Sequence, residues 1–134
     1  MKPPPDTVFH EVSSLFVWRP RGVVNEATVN QIIGYIGDLE AHRKKSFNRF
    51  SDTQGAETID LNFRYIFHVS LYRRLSYHGP PIQSAILVTD LTKARYSKML
   101  AILTQGSPIK VRIFEEREAA AKWLDVPIEL LESM

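Results

Sequence analysis

A chain of 134 residues is enough for one domain, and folding such a chain removes roughly two-thirds of its unfolded surface from water. It has no cysteine, which excludes disulfides, thiolate catalysis and cysteine-held zinc and suits a reducing compartment. The 17 basic and 15 acidic residues leave a net charge of +2, too small a surplus to follow a phosphate backbone, so no nucleic-acid partner is expected.

The opening MKPPPD lacks the apolar core of a signal peptide, and no apolar run approaches the ~20 residues of a membrane span. The expectation is a cytoplasmic protein with no membrane span. Residues 1–6, with Pro3, Pro4 and Pro5 in succession, read as a flexible lead-in, and 7–134 as a single domain. TVFHEV and LFVWRP are rich in aromatic and β-branched residues and predict a hairpin turning at Ser13 and Ser14, its second strand stopped by Pro20. Asn25 is placed to cap a helix carrying Val29, Ile32, Ile33, Ile36 and Leu39 on one stripe, with His42, Arg43, Lys44 and Lys45 at its negative end. Gly34 and Gly37 interrupt it, marking either close packing or a weak spot. SFNRFS predicts a short strand, and Asp52 to Glu57 a polar loop.

A long helix is expected from Ile59 or Asp60 to Tyr77, capped by Thr58 or Asp60 and ended by Gly79, Pro80 and Pro81. At 100° per residue Phe63, Ile66 and Phe67 form one apolar face, and Leu61, Tyr65, Val69 and Tyr72 the opposite one. A helix apolar on both sides is covered on both, by its own domain's core, by a partner chain or by a ligand. IQSAILVT, Ile82 to Thr89, is apolar on both faces and predicts the central strand of a covered sheet. Asp90 or Thr92 then caps a helix with Tyr96, Met99, Leu100 and Leu103 on one stripe, ending at Gly106. KVRIFE is a last strand. AAAKWL closes the chain with Ala119, Ala120, Trp123 and Leu124 facing inward, its N-terminus flanked by Glu115, Glu116 and Glu118. Helices alternating with strands after a hairpin imply an α/β domain with a mixed, mainly parallel sheet of about five strands and four helices.

This order resembles the STAS family, whose founding members are anti-sigma-factor antagonists, and in particular its uncharacterised bacterial branch. LFVWRPRGVVNEATVNQIIGYIGDLE is similar to that family's second strand, arginine-glycine corner and first helix, and VRIFEEREAAAKWL to its closing strand and helix. The resemblance runs from about Thr7 to Val126 and implies a STAS-like fold. The family's regulatory site is an Asp-Ser-Ser-Gly turn, eight residues beyond an aspartate that ends the third strand. Asp52 and Asp60 keep that spacing, but Leu61, Asn62 and Phe63 follow Asp60, so the serines and glycine are missing. Thr53 and Thr58 are the hydroxyls left nearby as candidate phosphoacceptors.

The residues themselves carry no catalytic signature. His10, His42, His68 and His78 have no partner at metal-ligand spacing, the glycines form no phosphate-cradling loop, and no nucleophile elbow is present. No enzyme, cofactor or metal is expected. The loops at the carboxyl ends of the parallel strands, Asp52 to Asp60 and Thr89 to Lys93, are where an open α/β sheet gathers ligands, and they carry Asp60 and Asp90, which also fit as helix caps. The leading expectation is a non-enzymatic binding or regulatory module of bacterial signalling. It would be a homodimer through Tyr65, Val69 and Tyr72, with His68 and Arg73 at the rim, and would meet a regulatory protein partner around Asp60 and Asn62. The alternative is a binder of a small hydrophobic ligand or lipid. The CRAL-TRIO lipid-transfer proteins share the broad fold of the branch, and Phe63, Ile66, Phe67, Val69 and Tyr72 would then line the cavity.

Overall fold

The aromatic and β-branched runs at the start of the chain pair with each other, as their composition requires. In the computed structural model, which describes residues 2–132 apart from the side chains at 91 and 92, β1 (Thr7–His10) and β2 (Leu15–Trp18) form an antiparallel hairpin. Thr92 as a cap lies outside these described residues. There follow β3 (Gly22–Asn25), α1 (Glu26–Arg43), β4 (Asn48–Asp52), β5 (Ala56–Asp60), α2 (Phe63–Ser76), β6 (Ile82–Leu87), α3 (Leu91–Leu103), β7 (Ile109–Phe114) and α4 (Arg117–Leu124). A short 3-10 turn, Ile128–Leu130, comes last.

Five strands make one mixed sheet in the order β1-β2-β4-β6-β7, parallel at every pairing except the hairpin. The middle place belongs to β4. β6 was expected there, but it lies one strand from the edge, because β7 adds outside it and the hairpin places two strands on the other side. Its apolar run is nevertheless buried on both faces, with Ala85 and Leu87 on one and Ile86 and Val88 on the other. Two faces of apolar residues report cover above and below, not position in the strand order.

The cover differs on the two sides. Leu15, Val17, Phe50, Ala85, Leu87 and Phe114 pack against Ala120, Ala121 and Leu124 of α4 and against Leu131. Ala121 faces inward where Ala119 was expected, and Ala119 is exposed. On the other face Phe16 and Phe47 meet Ile32, Ile36 and Leu39 of α1, and α2 and α3 lie beside α1 over β4, β6 and β7. Asn25 caps α1 as predicted, its Oδ1 accepting from the Thr28 nitrogen at 3.0 Å. Gly34 and Gly37 have open space where a side chain would stand, so close packing is not their reason.

The sequence reading fails at β5. Thr58 and Asp60, taken as helix caps, belong to a strand that pairs in parallel with β3 as a separate two-stranded sheet, Ile59 opposite Val24 and Asp60 opposite Asn25. α2 starts at Phe63 instead, and Asn62 caps it by accepting from the Tyr65 nitrogen at 2.8 Å. Asn62→Ala should lower stability by about 1 kcal/mol in a urea titration, whereas Thr58→Ala on the exposed side of β5 should change it by less than about 0.5. Equal losses from both would contradict this start to the helix.

Candidate functional site

Strand alternation decides what α1, α2 and α3 cover. Along β4 and the residues flanking it those facing them are Phe47, Arg49, Ser51 and Thr53, and along β6 and the residue after it Ile82, Ser84, Ile86 and Val88. Arg49 stands beside Ser84 across the ladder and Ser51 beside Ile86. Two serines where a covered sheet ordinarily carries valine or isoleucine leave the floor low, and the helices above do not fill the gap. A cavity of about 150 Å³ results. Its walls are overwhelmingly apolar, with Phe16, Val24 and Ile86 below and Ile32, Ile66, Val69 and Leu100 above. Among the described residues of α3 Ser97 is buried, as is Thr104 just past its end, and their hydroxyls turn back onto the helix at the Lys93 and Leu100 carbonyls.

One end of this space is charged. Arg49, 3% exposed, lines it together with Arg73. The same two side chains border an adjoining, more polar hollow that also includes Glu40, Ser46, Tyr77 and His78. Nη2 of Arg49 lies 3.1 Å from a Glu40 carboxylate oxygen, but the geometry is that of an ion pair and not an aligned hydrogen bond, and Nε and Nη1 have no partner. Burial pushes the Glu40 carboxyl above its ordinary value, and the Arg49 charge pulls it back. Burial also lowers the pKa of Arg49 against the opposing pull of Glu40, yet a guanidinium starts so high that it stays charged at any physiological pH. A strand-borne arginine buried with two unsatisfied donors is costly. The sequence offers two signals for it, the first a charged residue between Phe47 and Phe50 in a strand that must be covered. Glu40, one helical turn past Ile36, is the second.

The predicted site residues separate into groups. Tyr65, His68, Val69 and Tyr72 line one shallow groove between α1 and α2. Tyr65 is already engaged within the chain, donating its hydroxyl to Asn30 Oδ1 at 2.6 Å, and burial raises its pKa, assisted by Glu26. Tyr65 and Val69 also face the cavity, so the face assigned to a partner chain lies largely against the domain's own space. Phe63, Phe67 and Tyr72, expected as cavity lining, are instead outside, at 47%, 50% and 61% exposure, and only Ile66 and Val69 of that set line the cavity. The phase of α2 is fixed by its cap and by the packing of Ile66 and Ser70, and that rotation turns Phe63, Phe67, Leu71 and Leu75 to the surface.

Asp60 and Asn62 border an open hollow with Asn25 and Glu26, and Thr58 is exposed nearby. Asp90 accepts from the Lys93 nitrogen at 3.4 Å as a helix cap would. The two loops adjoin, because the Lys93 ammonium donates to the Thr53 and Ala56 carbonyls. Thr53 is buried, its hydroxyl donating to the Leu87 carbonyl at 2.8 Å, so it does not present itself to a kinase. Asp52, the aspartate that ends the third strand of the main sheet, is buried as well and accepts from Arg117 Nη2 at 2.7 Å. Among the described residues no group of three His, Asp or Glu side chains could hold a metal ion, and no helix is long and apolar enough to cross a membrane.

No protein-family model and no curated protein matches this chain. A solved structure does: an uncharacterised protein of the DUF3478 family from Shewanella loihica PV-4, which has a SpoIIAA-like fold. It superposes with a TM-score of 0.55 over 88% of this chain and 90% of the other, at 12% sequence identity. At that identity the two share a fold, SpoIIAA-like and so STAS-like, and nothing more is implied.

Proposed function

We propose that the protein is a non-catalytic binding module that holds a small hydrophobic ligand between its sheet and helices α1 to α3. The observation that carries this reading is the apolar cavity of about 150 Å³ over Ser51 and Ser84. A space of that size lined by apolar side chains is one that benzene or xenon enters, and it is too large to be an ordinary packing defect. Benzene added to the protein should shift the amide resonances of β4, β6 and α2 in a saturable way. Ser84→Leu, which fills the floor, should abolish that response and stabilise the fold by on the order of 1 kcal/mol. A wild-type protein that takes up no benzene would overturn the reading.

A second reading is favoured by the outer side of α2. Phe63, Phe67, Leu71 and Leu75 recur every four residues along it, all exposed, and an i, i+4 ridge of this kind is what two copies of a helix use when they pack across a two-fold axis. In this reading the chain is a homodimer through that ridge and not through Tyr65. Phe67→Glu combined with Leu71→Glu should then halve the mass seen by light scattering and leave the circular dichroism spectrum unchanged. A monomeric wild type would remove this reading and leave the first intact.

A further inference from the structure

We propose that the ligand is a small monoanionic amphiphile, a carboxylate on a compact apolar body, whose charged oxygen is received by Arg49. The inference rests on the ligand reading above and adds the chemistry of its head group. Arg49 is buried, faces the cavity from the middle strand of the sheet, and presents Nε and Nη1 with no protein partner. Buried donors of a charged group are satisfied in native proteins by protein, water or ligand, and the protein supplies these two with no hydrogen-bond acceptor where the apolar cavity meets its polar annex.

The charges at this end of the cavity set the valence. The acidic and basic side chains bordering the cavity and its polar annex are Arg49, Arg73, Glu40 and His78. Among the described residues Arg49 shares an ion pair with Glu40, and Arg73 is within ion-pair distance of no carboxylate. Two guanidinium groups against one carboxylate leave a single positive charge, which a carboxylate neutralises and a phosphate dianion would exceed. The volume sets the body: about 150 Å³ holds one aromatic ring or a short branched chain and excludes a full-length acyl chain. Glu40 takes part as competitor, since it is the anion that Arg49 faces when no ligand is present.

The test is to titrate the full chain at pH 7 with benzoate, its neutral isostere benzamide, and benzene, read by calorimetry and amide shifts. Benzoate should bind wild type at least tenfold more tightly than benzamide. Glu40→Gln, which removes the competing anion, should tighten benzoate several-fold and leave benzamide unchanged, and Arg49→Gln should make the two equal. Equal affinity of benzoate and benzamide in wild type, or benzoate weakened by Glu40→Gln, overturns the carboxylate inference whether or not the Arg49 variant folds. If benzene binds while benzoate does not, the inference falls and the cavity reading stands; if neither binds, both fall.

Discussion

Leu87→Asp should give no soluble, cooperatively melting protein. Leu87 is 1% exposed on the face of β6 that meets α4, within the cluster of Leu15, Val17, Phe50, Phe114 and Leu131. A carboxylate placed there loses its hydration, at several kcal/mol against the roughly 5–15 that hold a domain of this size together. The ladder makes matters worse, because Asp52 stands directly across from Leu87 on β4 and is itself buried, with its carboxylate committed to Arg117. Two carboxylates would share one guanidinium. Leu87→Met, which keeps the volume, should cost less than about 1.5 kcal/mol and serves as the control. A Leu87→Asp protein that is soluble and melts within about 1 kcal/mol of wild type would show that this face of β6 is not core.

The elements that could be read directly are those whose stability is local. α1 announces itself by a cap, a 3.6-residue stripe and cations at its end, and each of these is a property of neighbours in sequence. The hairpin is likewise a matter of two adjacent runs. β5 was missed because AETID has little strand character of its own: it is short and half polar, and it exists because β3, more than 30 residues earlier, offers it a partner. Periodicity alone shows that two sides of α2 are apolar but not which of them meets the sheet. Tyr65 and Val69 line the cavity and Phe63 and Phe67 are exposed, a choice made by the burial of Ile66 and by the hydrogen bond of Tyr65 to Asn30 of α1. The cavity was the least legible feature. It depends on Ser51 and Ser84 falling on the same face of neighbouring strands under three helices, which is known only once register is known.

Arg49→Met should be the most damaging substitution that leaves the apolar core untouched, and a second substitution should repair it. Removing the guanidinium leaves the Glu40 carboxylate, 18% exposed, without its counter-charge, and breaking a buried pair on one side costs about 3 kcal/mol. Removing both partners costs far less, because a hydrophobic pair of similar volume has no charge to bury; the Arg49→Met, Glu40→Met protein should be as stable as wild type or more so. The pH dependence separates this account from a packing effect. Burial already raises the Glu40 carboxyl above its unfolded value, and Arg49 is the group that restrains the rise. In the single variant the rise is unrestrained. An acid whose folded pKa is raised binds its proton more firmly folded than unfolded, so its contribution is complete below the unfolded value and is lost as pH climbs through the folded one. Arg49→Met should therefore lie closest to wild type near pH 4 and fall progressively behind it toward pH 7, while the double variant tracks wild type throughout or exceeds it. Urea titrations at several pH values measure all three proteins on one scale. A single variant whose deficit does not change with pH would mean that Arg49 acts through its packing, its guanidinium lying 5.6 Å from the Phe47 ring centroid, and that the Glu40 carboxylate is not what the fold has to accommodate.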